Sequence, residues 1–430
     1  MERRNFLSGA VATAAGVGLA ACGGGGSNPG PFASLPSGAA PPGSGSTPPV
    51  EVAPPVPPVN PPVEPTPAGP QKLVTQLWSR HLQWVSTQAE SQNGTDPFGI
   101  GVKIGEALLA SGYAAVDLTV RADGHVLPQN VKTHLPNMLK GIRSTGAICD
   151  HIGVNFTPLI DPLNTTWIVA ENVEEILSVA NDNGIRKYRF NNANGTAIPG
   201  TAGTLTVASF ASNTFGDTMT TLLDGVRANH QRLAALNAKY GNLCGVAHTH
   251  GNNIGTSVYD YEYAMRDIDP NLIAINLAIG HTAGAALGGS GNPAWELQMR
   301  RHMPRIKCTA VEDLRATLNA TTGALSSGRI EPLPGTAGGG VINWTNFYGH
   351  LLKGGYSGAA ESQIEYSIPN GSTGANISLN TAFWSDNANF ANGNLTPAMM
   401  IATMKNASTF IRERAAIAGW GQDGSNSKVL

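Results

Sequence analysis

Beyond residue 70, short runs of apolar and β-branched residues alternate with longer stretches whose apolar positions recur every three to four residues. The first pattern is that of strands and the second that of amphipathic helices. Eight runs read as strands: 73–78, 114–120, 147–156, 186–190, 243–248, 272–279, 306–311 and 363–368. Helical spacing marks 102–110, 131–142, 173–180, 219–239, 258–266, 293–303 and 344–353, and a last helix over 396–418 has Thr396 as its N-cap and Pro397 at its first helical position. Strand and helix in strict alternation imply parallel strands with crossover helices, and eight such units are what a closed (β/α)8 TIM barrel requires. Stretches 191–217 and 323–340 fit no element and read as insertions. They join the loops after strands, where this fold gathers its functional groups.

The first 70 residues have another character. Arg3 and Arg4, followed by Phe6 and Leu7, precede an apolar run from Ala10 to Ala21 that is too short to span a bilayer. The paired arginines resemble a twin-arginine export signal, and Leu19-Ala20-Ala21-Cys22 resembles a lipobox, in which small residues admit the peptidase that cuts before an acylated cysteine. The expected organisation is a signal peptide over 1–21, a lipidated Gly/Ser/Pro-rich tether over 22–70 beginning at Cys22, and one domain over 71–430. The tether has too few apolar residues to build a core and reads as disordered. The expected location is the cell envelope, lipid-anchored through Cys22. By the general rules of lipoprotein sorting, Gly23 favours the outer membrane, with the domain on the periplasmic side or at the cell surface.

Composition narrows the partners. Charged residues make up 13% of the chain and the formal net charge is −2. A nucleic-acid partner would need a basic stripe, and none is present. A small polar ligand fits better. Cys149, Cys244 and Cys308 lie in apolar runs with no CxxC spacing and read as buried thiols, held apart on separate strands.

Candidate chemistry collects where the predicted strands end. After strand two come Asp117, Arg121, Asp123 and His125; after strand five His248-Thr-His250-Gly-Asn252-Asn253; after strand six His281; in strand eight Glu365. Arg80, Arg121 and His125 either orient a hydroxylated or anionic ligand at the rim or form ion pairs there with Asp117 and Asp123. His248 and His250 share a face if the strand continues through them and part if it ends. Trp78, Trp84, Trp344 and Tyr356 read as a sugar-stacking wall or as core. The glycine-rich 284–291 stretch lacks the strand-to-helix context of a phosphate cradle.

Several of these segments resemble the sugar phosphate isomerase/epimerase superfamily, the xylose isomerase-like TIM barrels. They are Trp78-Ser-Arg-His-Leu-Gln-Trp-Val85, the run from Gly112 to Pro128, His248-Thr-His250-Gly-Asn, Asp269-Pro270, His281, Gly354-Gly-Tyr356-Ser-Gly358 and the Glu365 segment. The resemblance spans roughly 73–368. It implies isomerisation or epimerisation of a sugar beside a divalent metal held by two glutamates, an aspartate and a histidine, the cation polarising oxygens while carboxylates move the proton. Carried over, Glu365 matches the last glutamate and His281 the substrate-binding histidine, giving these two the catalytic roles. The remaining ligand positions fall on Ala278, near Ala310, and on His248. A remodelled site of Glu365, His248 and His281, with His250 or His125 near, would suit manganese, zinc, iron or magnesium. Arg80, Arg121, His125, His248 and His250 are then the substrate-binding set for a sugar-like ligand. Two readings stand: an exported sugar isomerase or epimerase with an altered metal site, and a membrane-tethered carbohydrate-binding protein that kept the barrel without the chemistry.

Overall fold

The computed structural model describes residues 71–154, 159–161, 164–168, 172–191, 215–250, 258–285, 294–318, 325–336, 340–370, 373–379, 384–422 and 427–430. The leader, Cys22, the tether, most of the 191–217 insertion, Asn252 and Asn253 lie outside these residues.

Eight parallel strands close into a barrel: β1 (Lys72–Trp78), β2 (Ala115–Val120), β3 (Ile148–Val154), β4 (Lys187–Asn191), β5 (Cys244–His248), β6 (Ile273–Ala278), β7 (Ile306–Val311) and β8 (Gly358–Ser362). Each pairs with its successor, and β8 returns to β1, with Gln76 opposite Glu361. Helices follow in the expected rhythm: α1 (Pro97–Ala110), α2 (Val131–Ser144), α3 (Val173–Asp182), α4 (Phe215–Lys239), α5 (Val258–Met265), α6 (Ala294–His302), α7 (Trp344–Lys353) and α8 (Pro397–Ile417). At α8 the Thr396 side chain accepts from Met399 N, with Pro397 in the first turn. The cap satisfies one of the orphan donors of the helix start, worth about 1 kcal/mol.

The strands bury both faces. Leu73, Leu77, Leu118, Tyr188, Phe190, Ile273, Ile275 and Leu277 belong to the large core shared with the helices. Removing one such side chain, as in Leu77→Ala, costs about 2–5 kcal/mol through lost transfer energy and the cavity left behind. Helices α1 and α2 approach closely because Gly101 and Gly141 face one another. A Cβ at Gly101 would sit 2.2 Å from Met138 O, and one at Gly141 2.1 Å from Phe98 O. Inside the barrel a separate cluster of small residues, Cys244, Val246, Ala274, Cys308 and Ala359, fills one layer. The three cysteines are free thiols.

Two elements depart from the sequence reading. Strand eight is Gly358–Ser362, not 363–368; Ser367–Pro369 instead pairs antiparallel with Asn376–Ser378. The true strand is Gly-Ala-Ala-Glu-Ser, without the β-branched and aromatic residues that mark strands, because small side chains fit its crowded place in the barrel. The 323–340 stretch is also not featureless: Leu325–Ile330 pairs antiparallel with Asp313–Leu318. At the other end of β1, Lys428–Val429 adds parallel to Lys72 and Leu73, and Thr75 donates from both N and Oγ1 to Leu430 O.

Candidate functional site

Alternation along a strand sends every second side chain into the barrel. On β4 the aromatic Tyr188 and Phe190 belong to the helix-side core, so Lys187, Arg189 and Asn191 point inward. Gln76, Asp117, His151 and Glu361 join them and are fully buried. Arg189 Nε donates to Asp117 Oδ2 at 2.9 Å, and its second nitrogen lies 2.8 Å from the same oxygen. His151 Nε2 lies 3.4 Å from Glu361 and 3.7 Å from Asp117, while its Nδ1 is 3.0 Å from Asp150, which Lys187 pairs at 2.7 Å. Gln76 and Gln363 each donate to Glu361 at 2.9 Å. With His151 protonated, three cations face three carboxylates.

Electrostatics agree with that balance. Burial opposes a charge on His151, but Asp117, Asp150 and Glu361 overcome it and push its pKa up to about 9. Burial would also raise Glu361, yet the Arg189 charge and the His151 hydrogen bond hold it below the usual carboxylate range. Asp117 goes the other way, lifted by burial against the pull of Arg189. These groups form a charge-balanced floor beneath the barrel mouth.

The mouth is built differently. His248 ends β5, held by Tyr261 Oη donating to its carbonyl, and lies in register between Asn191 and Asn276. The chain turns after it, pinned by Thr249 N donating to Asn276 O and Ala278 N to Thr249 Oγ1. His250 nevertheless stays beside His248, with ring centroids 5.9 Å apart. His281, on the short helix Ile279–Ala285, completes the group at 4.1 Å from His250 and 6.0 Å from His248. Glu312, just past β7, places Oε1 3.4 Å from His281 Nε2. Gly280 makes room for it, since a Cβ there would lie 2.3 Å from Glu312 Cγ. Burial first, then Arg189 and the neighbouring imidazoles, drives the His248 pKa well below its ordinary value, so it is neutral and its ring can offer a lone pair. Among the described residues its Nδ1 has no hydrogen-bond partner, nor does either amide atom of the buried Asn276.

On the β1–β2 side, the guanidinium carbons of Arg80, Arg121 and Arg189 lie 5.4, 5.3 and 4.8 Å from the Trp78 ring centroid. Arg121 Nε meets Asp123 at 2.6 Å and Arg80 meets it at 3.6 Å, whereas Asp117 pairs with Arg189. His125 is fully buried against Thr119 and Trp384, and burial lowers its pKa to about 3. His81, also neutral, accepts from Ile364 N at 2.9 Å and ties the segment after β8 to the β1 loop. Trp84, Trp344 and Tyr356 belong to the core, leaving Trp78 as the mouth aromatic of the four.

The structure thus brings His248, His250 and His281 together and places Arg80 and Arg121 about one indole. Glu365 lies three residues beyond β8 and half-buried; the carboxylate on β8 itself is Glu361, flanked in register by Ala310, which is in turn opposite Ala278. The sequence reading did not name Arg189, His151, Glu361, Asn276 or Glu312 as site residues. The alternation Lys187-Tyr-Arg189-Phe-Asn191 was the signal for an inward polar face.

Among the described residues one set of donor atoms converges closely enough for a metal. Nε2 or Nδ1 of His151, Sγ of Cys308 and a Glu361 oxygen lie within 4.8 Å of one another. These donors do not fit a cation well: His151 is held protonated, burial pushes the Cys308 thiol well up, and Glu361 is already bonded by Gln76 and Gln363. The three imidazoles at the mouth are more widely spaced, their ring centroids 4.1 to 6.0 Å apart, but their chemistry suits a cation better: His248 is neutral, its Nδ1 has no partner among the described residues, and the donor types suit zinc, iron or manganese.

No family model matches the chain, and neither does any curated protein. Among solved structures it is similar to a candidate xylose isomerase from Rhodospirillum rubrum, at 12% identity over 79% of this chain and 99% of that one, with a TM-score of 0.50. D-allulose 3-epimerase from Methylomonas sp. aligns at 14% identity over 81% and 99% of the two chains with a TM-score of 0.48. A xylose isomerase-like TIM barrel protein from Mycobacterium smegmatis, in complex with magnesium, aligns at 12% over 78% and 98% with 0.46. At such identities the likeness speaks for the fold alone.

Proposed function

We propose that this chain is an exported, lipid-anchored protein whose barrel mouth binds a sugar or related polyol and moves a proton at the carbon beside its carbonyl. The observation that carries this reading is the gathering of His248, His250 and His281 at the strand C-termini, with Glu312 against His281, where this fold does its chemistry. His248, His250 and His281 would hold a divalent transition metal, which polarises carbonyl and hydroxyl oxygens when bound. Glu312, the carboxylate against His281, orients that ring and is our choice for the proton-transferring group. Arg80, Arg121 and Trp78 border the ligand on the opposite side of the mouth. Export and anchoring rest on the twin-arginine and lipobox residues ending at Cys22.

The test is solvent deuterium incorporation. Full-length protein incubated with a panel of aldoses and ketoses in D2O should label the carbon next to the carbonyl, and Glu312→Gln should slow labelling by about 10²-fold or more with metal content unchanged. A second reading, a carbohydrate-binding protein without turnover, draws support from Ala278 and Ala310 and from carboxylates already neutralised in the floor. It predicts sugar binding that survives Glu312→Gln and no labelling in either protein.

A further inference from the structure

The Trp78 corner of the mouth carries more positive charge than a neutral sugar calls for. Three guanidinium groups gather within 5.4 Å of one indole. Arg189 is spent on Asp117 in the floor, whereas Arg80 and Arg121 both turn to Asp123, whose side chain is 53% exposed. Arg121 grips it with two nitrogens, Nε at 2.6 Å and Nη2 at 3.0 Å, while Arg80 reaches it only at 3.6 Å; this is the fork that another carboxylate or a phosphate would take in its place. Burial lowers the Arg121 pKa to about 10 against the pull of Asp123, with smaller contributions from Arg189 and Arg80, so a further anionic partner there would offset its desolvation. Trp78 itself is 5% exposed, and its Nε1–H is buried with no acceptor among the described residues. An indole N–H is a donor only, so the atom that completes it must be an acceptor.

The loop that carries Arg121 is held in place before any ligand arrives. Arg121 N donates to Val126 O, Val126 N to Thr119 O, and Gly124 N to Arg121 O. Gln83 donates to Asp123 O at 2.6 Å, and Gln92 donates to both Ala122 O and Gly124 O at 2.8 Å. Gly124 is required in this turn, since a Cβ would lie 2.7 Å from Thr119 O. A braced loop loses little further freedom on binding, which favours a charged contact made there.

We propose that this corner binds an anionic oxygen group of the ligand, a carboxylate or a phosphate monoester, with Trp78 Nε1–H and the Arg121 and Arg80 guanidiniums as donors and Asp123 as the internal group it displaces. The inference rests on the reading of the mouth as the ligand site and narrows its substrate class from neutral sugars to sugar acids or phosphorylated sugars. Arg–carboxylate and Arg–phosphate contacts are among the stronger hydrogen bonds available, and the partly buried position shields them from solvent.

Calorimetric titration of the full chain in detergent at low salt tests this with D-gluconate, D-glucitol and inorganic phosphate as probes. Gluconate should bind at least tenfold more tightly than glucitol, and raised salt should shrink that preference. Arg121→Gln should abolish it, Arg121→Lys should retain part of it, and Asp123→Asn should strengthen gluconate binding several-fold, with thermal melts confirming that each variant is folded. If phosphate binds more tightly than gluconate and competes with it, the anion site stands and its occupant is phosphorylated. Equal binding of gluconate and glucitol, or a preference untouched by Arg121→Gln, overturns the inference. Glucitol binding that is lost in His248→Ala but indifferent to the arginine variants would overturn it while leaving the mouth reading intact. No binding of any probe overturns it as well, and the deuterium experiment then decides separately whether the mouth reading survives.

Discussion

The barrel holds two polar regions, one on the inward faces of β1 to β4 and β8 and one at the ends of β5 to β7 and beside Trp78, and they differ in how their charges are matched. In the floor, Arg189, His151 and Lys187 meet Asp117, Asp150 and Glu361, and the arrangement is buried. At the mouth, His248 Nδ1, Asn276 and Trp78 Nε1 lack partners among the described residues; in the floor Gln76 Oε1 and Asp117 Oδ1 do as well, but every floor charge there faces an opposite one. A buried charge left without a counter-charge costs several kcal/mol, more than the about 1–3 kcal/mol of an unsatisfied neutral polar group, so a charge-matched floor is built to be left alone, whereas the neutral groups of the mouth are open to completion. By this criterion the tightest cluster of ionisable groups holds the fold, and the looser cluster above it takes the ligand.

The largest effect should come from unbalancing the floor. Arg189→Met leaves Asp117 and Glu361 buried without their main cation, and we expect a loss of about 3–5 kcal/mol, read as a lower denaturation midpoint. The same change should leave metal binding at the mouth in place once the protein is folded. A comparable loss from His281→Ala in chelated protein would reverse the roles assigned to the two regions.

Next in size is a pH effect confined to the floor. The folded pKa of His151 is raised to about 9 from an ordinary 6.5, so its stabilisation is fully present below pH 6.5 and is lost as the pH rises through 9. Denaturant titrations between pH 6 and 9.5 should show a decline on the order of 3 kcal/mol, flattened in His151→Gln. A profile equally steep in the variant would place the titrating group elsewhere.

The mouth should contribute less to stability. In chelated protein, His281→Ala should change unfolding free energy by less than about 1 kcal/mol while removing metal affinity. Smallest of all, Asp123→Asn at the exposed rim should shift stability by about 0.5 kcal/mol or less, as for other solvated ion pairs. A larger loss would mean that Asp123 is a structural anchor of its loop rather than a stand-in for a ligand.

Much of the fold was legible because periodicity survives wherever apolar residues do the packing. Seven strands and the outer helices follow from it, down to Thr396 and Pro397 at the start of α8. Strand eight did not, since Gly358-Ala-Ala-Glu-Ser takes its place through small size and carries no β-forming side chain. The shift of five residues moved attention from Glu361 to Glu365. At the site, His248, His250 and His281 were legible as polar residues at strand ends, and Arg80 and Arg121 likewise. Arg189 and His151 were not, because they sit mid-strand, where polar residues read as interruptions unless the barrel interior is already known to be charged. Glu312 was not legible either, since a lone carboxylate just past a strand reads as an ordinary loop residue until Gly280 and His281, brought against it by the fold, give it a role.

Metal stoichiometry separates the two regions most directly. Full-length protein, purified without chelator or affinity-tag metals, should carry about one transition metal per chain, in keeping with a single site built on three imidazoles. That metal should be lost in His248→Ala and His281→Ala and retained in His151→Gln. Absence of metal from the unaltered protein, or its loss on His151→Gln with the histidines at the mouth intact, would contradict the account.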